Sequence, residues 1–167
     1  MKYKPIIIVA GEPNSVFSEI FLKTIKKNNF NSPIILICSK KLFLKQTKFL
    51  KQKIKFFDLN EDFYLIKNFK INKLNLINVD YDQDKPFKKI SSKSKNYIKN
   101  CFNVALKILN SGFGNKLING PVSKENFLNK RYNGITEYIA EKSISKKYAM
   151  LIYNKKLYVY TLTTHLP

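Results

Sequence analysis

The sequence predicts an α/β fold with a mostly parallel sheet, and three observations carry that reading. Short apolar runs rich in Ile and Val recur with the length of strands. Segments with apolar residues at helical spacing separate them. Two of the runs pass straight into turns containing Gly and Pro, where strand gives way to loop. Alternating strands and helices in 167 residues, with no repeat or linker to divide them, fit a single α/β unit over residues 1–167.

Each element follows from its own pattern. Pro5 to Ala10 is a β-branched run, expected of a parallel strand covered on both faces. After Gly11-Glu12-Pro13, the residues Val16, Phe17, Ile20, Phe21 and Ile25 fall near helical spacing, with Asn14 or Ser15 as cap. Pro33 to Cys38 repeats the strand signature. Ser39 to Lys53 reads as a helix, with Leu42, Phe43, Phe49 and Leu50 opposed by six lysines. Ile54 to Leu59 and Leu74 to Val79 are further strands. Tyr81 to Lys89, polar and interrupted by Pro86, is a loop.

Ser91 to Ser111 carries the clearest helical stripe: Tyr97, Ile98, Cys101, Phe102, Ala105, Ile108 and Leu109, with Gly112 as the stop. Lys116 to Asn119 is a brief strand ending in Gly120-Pro121. Short helices are expected around Ser123 to Asn129 and Thr136 to Ser143. Tyr148 to Tyr153 and Leu157 to Leu162 read as a hairpin across Asn154-Lys155-Lys156.

Charge argues against a nucleic-acid reader. There are 31 basic residues against 11 acidic ones, a net +20, yet Arg131 is the only arginine. Proteins that read bases or clamp phosphates recruit arginine for bidentate contacts. Here lysine is dispersed over most elements, in a composition also rich in Ile, Asn, Phe and Tyr, as AT-rich codons give. The expectation is a solvated surface with no specific nucleic-acid partner, and at most weak, salt-sensitive polyanion binding.

Cys38 and Cys101 lie in apolar segments with no ligand at metal spacing, so they read as core thiols in a reducing compartment. No apolar run reaches the ~18 residues of a membrane span. The first run is short and meets Gly11 at once, so it reads as a strand rather than a signal peptide. A cytoplasmic protein with no membrane partner is expected. The lysine-rich helix at Ser39 to Lys53 reads as an outer helix on the sheet, not as a membrane anchor.

In a parallel sheet, chemistry gathers where loops leave the C-terminal ends of strands. Three segments qualify: Gly11-Glu12-Pro13, Asn119 to Lys124, and Thr163-Thr164-His165-Leu166-Pro167. No Gly-x-Gly-x-x-Gly and no Gly-Lys-Ser/Thr is present, so neither nucleotide fingerprint applies. His165 is the only histidine, and one imidazole does not hold a metal. Singly, each segment is an ordinary turn.

Taken in order, these segments together with Gly134-Ile135-Thr136-Glu137-Tyr138 resemble the 4-hydroxythreonine-4-phosphate dehydrogenase family of vitamin B6 biosynthesis. The resemblance runs end to end but corresponds to the N-terminal half of a typical member. It implies an α/β/α sandwich similar to the isocitrate and isopropylmalate dehydrogenase group. It implies oxidation of the 3-hydroxyl of 4-phosphooxy-threonine with NAD or NADP, then decarboxylation, in a homodimer acting on a small phosphorylated hydroxy amino acid. A divalent metal (Zn, Mg or Co) is implied, with His165 matching one histidine ligand and the others absent from this chain. Thr136 matches a substrate contact, and Gly11, Glu12 and Lys124 match loops of the pocket.

The departures are specific. Ile135 stands where the family has a substrate-binding histidine, and an apolar side chain leaves a polar substrate group without a partner, at about 1–3 kcal/mol. The opening loop of the family, Gly-Glu/Asp-Pro-Ala-Gly-Ile-Gly-Pro-Glu, persists here only at Gly11, Glu12, Pro13 and Glu19. The expectation is therefore a half that is inactive alone, or, as the alternative, a basic binding protein that has kept the scaffold and lost catalysis.

Overall fold

The computed structural model describes residues 3–60, 73–128, 131–144 and 148–161. Its main sheet contains β1 (Ile6–Val9), β2 (Ile34–Cys38), β3 (Phe56–Leu59), β4 (Leu74–Asn78) and β5 (Lys116–Asn119). The order is β3-β4-β2-β1-β5. Every pair is parallel; β1 runs in register with both β2 (Ile6↔Ile34) and β5 (Ile6↔Lys116). The expected α/β class with a parallel sheet is what the chain adopts.

Period-two alternation sorts the strands' side chains into two cores. On one face Ile8, Ala10, Leu36, Cys38 and Leu76 pack with Phe21, Leu22 and Phe43. These aromatic and leucine residues come from α1 (Phe17–Lys27) and α2 (Lys40–Phe49). On the other face Ile7, Val9, Ile35, Ile37 and Ile77 pack with Ile98, Cys101, Phe102, Ala105 and Ile108. That second set belongs to α3 (Lys95–Asn110), so helices cover both faces of the sheet.

The helices correct the expected faces. In α1 the expected Phe17, Phe21 and Ile25 do face the core, Phe17 and Ile25 at the edge of the cluster, and Ser18 and Leu22 join them, while Val16 and Ile20 are exposed. The helix starts at Phe17, with Val16 as cap residue, and packing on the sheet selects the 18/21/22/25 stripe as its inner face. The Ser15 hydroxyl still receives the first amide, Phe17 N–H, at 3.3 Å.

In α2, Leu42 and Phe43 are buried as expected, but Phe49 is exposed and the polar Gln46 and Thr47 complete the inner face. Ser39 caps this helix, accepting from Leu42 N–H. It ends at Phe49, four residues before the expected Lys53, because Lys51 takes a positive φ of 52°. The expected helix at Ser123 to Asn129 is a single wide turn, Lys124–Leu128, and α4 (Ile135–Lys142) follows. Finally β6 (Met150–Asn154) and β7 (Leu157–Thr161) pair antiparallel as a separate hairpin.

The two thiols are free and buried, as their segments suggested. Burial pushes Cys101 up to about 12. Burial, followed by the charge of Cys101, raises Cys38 well above its ordinary value of 9.0. Tyr97, which accepts Ser39 N–H at 3.1 Å, is raised by burial and then by both thiols. Groups whose acid form is favoured by folding contribute stability below their ordinary value, and that stability is lost as pH rises through the raised one. The melting temperature should therefore fall as pH climbs from 9.0 toward about 12. Iodoacetamide at neutral pH should label neither cysteine until the chain is unfolded; labelling of the native protein would contradict a closed core.

Candidate functional site

The site is built where β1 and β5, adjacent in the sheet, release their loops. Gly120 N–H donates to Val9 O at 2.7 Å, and Glu12 N–H donates to Pro121 O at 2.8 Å. The two loops are interlocked at their glycines. A Cβ at Gly120 would sit 2.1 Å from Ala10 O, and one at Gly11 would sit 2.4 Å from Pro121 O. Gly11 also takes φ +74°, where an L side chain is strained. The Gly-Glu-Pro and Gly-Pro-Val segments, far apart in sequence, thus form one backbone knot.

Glu12 faces inward and is almost fully buried. Its Oε2 accepts from Ser94 Oγ at 2.7 Å, and its Oε1 accepts from Asn14 N–H at 3.2 Å. Both carboxylate oxygens are engaged by the chain, so Glu12 braces the knot against the start of α3. Its negative charge, second to burial, raises the Tyr81 hydroxyl above its ordinary value.

Tyr81 to Lys89, a plain loop in sequence terms, is a strap across this end of the sheet. Gln46, from the buried face of α2, donates to Pro13 O at 2.7 Å and to Pro86 O at 3.0 Å. Asn14 Oδ1 accepts from Gln83 Nε2 at 3.0 Å and from Lys88 N–H at 2.8 Å. Ser39 Oγ donates to Tyr81 O at 2.8 Å. The strap borders an open cleft lined by Asn14, Lys41, Lys45, Lys88 and Ser91, with Lys41 paired to Asp82 at 2.8 Å. Gln46 and Ser94 were invisible as site residues in sequence. The one available signal was a glutamine on the apolar face of a helix.

Lys124 follows the knot and is exposed at the head of its turn. Thr136 is half-buried in the first turn of α4. Phe127 and Tyr138 pack edge to face at 5.1 Å and join the Lys124 turn to α4. The same rings rest on Phe102 of α3, at 5.9 and 5.6 Å. Ile135, expected to face a polar ligand, is half-buried and packs against this apolar cluster. Apolar packing on its buried side accommodates the isoleucine.

Three of the four segments are therefore joined: Gly11 to Glu12, Gly120 to Lys124, and Gly134 to Tyr138. His165 and the rest of its segment lie outside the described residues. Among the described residues there is no group of three or more His, Cys, Asp or Glu side chains able to hold a metal. Also among the described residues, no helix is long and apolar enough to cross a membrane.

Comparison with known proteins identifies the family. A family model described as pyridoxal phosphate biosynthetic protein PdxA matches residues 29–167. A 4-hydroxythreonine-4-phosphate dehydrogenase from Sulfurihydrogenibium sp. (strain YO3AOP1) is 30% identical over 165 residues, covering 97% of this chain and 50% of the relative. One from Vibrio parahaemolyticus is 27% identical over 165 residues, covering 97% of this chain and 49% of the relative. The crystal structure of a 4-hydroxythreonine-4-phosphate dehydrogenase from Burkholderia phymatum has the same fold. It superposes with a TM-score of 0.79 at 18% identity, over 99% of this chain and 51% of that one. The chain spans about half the length of the curated relatives it matches. With the family model matched over most of its length and the fold shared with a solved relative, the chain belongs to the PdxA family of pyridoxal phosphate biosynthetic proteins.

Proposed function

We propose that the chain supplies one half of a dehydrogenase site that oxidises the 3-hydroxyl of 4-phosphooxy-threonine with NAD or NADP, before decarboxylation. The observation that carries this reading is the knot of Gly11, Gly120 and Pro121, with the Thr136 turn fixed beside it through Phe127 and Tyr138. It holds two of the four segments that resemble the family at one end of the sheet, the end at which α/β proteins place their sites, and ring packing ties a third to them. In this reading Thr136 contacts substrate, while Gly11, Glu12 and Lys124 shape the surrounding loops. His165 would be one ligand of a divalent metal, Zn, Mg or Co, which when bound would supply Lewis-acid stabilisation of the ionised hydroxyl. The remaining ligands come from polypeptide this chain does not span, in a cytoplasmic homodimer.

Ile135 favours a second reading, a scaffold that has lost catalysis, because its buried side is satisfied by apolar packing rather than by a polar ligand. A cofactor-reduction assay separates the two. The 167-residue chain, given 4-phosphooxy-threonine, each cofactor and each metal, should reduce neither NAD nor NADP. The same chain continued past Pro167 by the half of the Sulfurihydrogenibium relative that it does not span should reduce one of them. Turnover by the chain alone would refute the shared site. A folded but inactive joined protein would favour the scaffold.

A further inference from the structure

The β6–β7 hairpin has the composition of a buried element and the exposure of a surface one. Its register pairs Leu151 with Tyr160, Ile152 with Val159, and Tyr153 with Tyr158. Alternation therefore puts Leu151, Tyr153, Tyr158 and Tyr160 on one face and Ile152, Leu157 and Val159 on the other. The Tyr153 and Tyr158 rings meet at 5.0 Å across the strands. All seven of these side chains are 40–64% exposed. A strand pair with one wet face would alternate apolar with polar residues, whereas apolar side chains on both faces mark strands covered on both sides.

The edges point the same way. In a chain of net charge +20, neither strand carries a charged residue, and the nearby lysines, Lys155 and Lys156, sit in the turn. Exposed edge strands are ordinarily protected by lysine or proline within the strand. An isolated two-stranded hairpin is also marginal in water. The five-stranded sheet does not supply the cover, because α1, α2 and α3 already occupy its two faces.

We propose that β6 and β7 form a docking seam for the half of the family polypeptide that this chain does not span, which covers both faces of the hairpin. The relatives are about twice the length of this chain, so an equal amount of polypeptide is available to do so. Its contact surface is apolar on each side, as α1 and α2 on one side and α3 on the other are for the main sheet. A second copy of the chain fits less well. Two-fold stacking covers one face and leaves the other wet, and it brings two bodies of charge +20 together. The proposal rests on family membership and is independent of the activity.

The test compares hydrogen exchange in the 167-residue chain and in that chain continued past Pro167 by the unspanned half of the Sulfurihydrogenibium relative. Amides of residues 151–160 should exchange about tenfold more slowly, or better, in the joined protein. Tyr153→Lys on one face and Ile152→Lys on the other should each remove that protection, with exchange in β1, β2 and β4 unchanged as the control for folding. Unprotected hairpin amides in the joined protein would overturn the proposal, as would sensitivity to only one of the two lysines. Sedimentation of the free chain supplies a further test. A dimer dissociated by both lysine variants would assign the hairpin to self-association instead. Protection without turnover would leave the seam standing and defeat only the dehydrogenase reading.

Discussion

Replacing Phe102 with alanine should destabilise the chain by about 3–5 kcal/mol, the range for removing a fully buried aromatic side chain. Phe102 is 0% exposed, at the centre of the cluster between α3 and the sheet. The loss has a direction as well as a size. Phe127 and Tyr138 both rest on this ring, and together they hold the Lys124 turn and α4. Urea unfolding measures the total, and hydrogen exchange should show α4 loosening more than β1 and β2. A loss below about 1 kcal/mol would mean that the cluster repacks around the gap, and that the Thr136 turn is anchored elsewhere.

Alanine at the interlocked glycines should have the next largest effect. At Gly120 the new Cβ meets backbone, Ala10 O at 2.1 Å, with the Phe17 ring at 2.7 Å. At Gly11 it meets Pro121 O at 2.4 Å. Overpacking typically costs about 1–3 kcal/mol, and backbone atoms have little room to yield. Gly11 adds about 1–2 kcal/mol for placing an L residue in the left-handed region. Gly112 is a natural control: it shares φ +74° but a Cβ there meets nothing within 4 Å. Gly112→Ala therefore reports the conformational part alone, and the excess at Gly11 reports the interlock. Equal losses at the two positions, read from denaturant midpoints, would show that the loops part easily and that the knot does not hold the site together.

These expectations also bear on how a PdxA-family half is organised. Glu12 and Gln46 sit near the candidate pocket, yet their polar atoms face other parts of the chain. Buried polar groups satisfied in this way fix loops in place rather than contact ligands. Substitutions at Glu12 or Gln46 should therefore act through loop order, whereas under the proposed dehydrogenase reading a change at Thr136, half-buried in the first turn of α4, should act on the substrate.

Much of this was legible in the sequence. β-branched runs of strand length, interrupted by helical stripes, determined the α/β class, the parallel sheet and nearly all the strands. The stripe from Tyr97 to Leu109 located α3 and its buried face, because a helix buries whatever its 3.6-residue period lines up. The burial of Cys38 and Cys101 followed from their apolar neighbours. The order of four short segments was enough to suggest the family, since their residues are adjacent in the chain and need no folding to be read.

Tertiary structure decided what depends on distant contacts. Strand order is set by which loops can pack, and no local pattern told that β1 would lie between β2 and β5. The phase of α1 was open in sequence because Phe17, Ile20 and Leu22 are similarly apolar; contact with the sheet chose the Ser18, Phe21 and Leu22 face. Gly11 and Gly120 looked like independent turns until their loops met. Ile135 read as a missing polar contact, and only its packing against the core cluster beneath α3 showed apolar surroundings. The hairpin read correctly as two strands, but its bare faces emerged only when the rest of the fold was seen to close without it. Local periodicity states which side of a segment avoids water, whereas the surface that receives it belongs to another part of the chain.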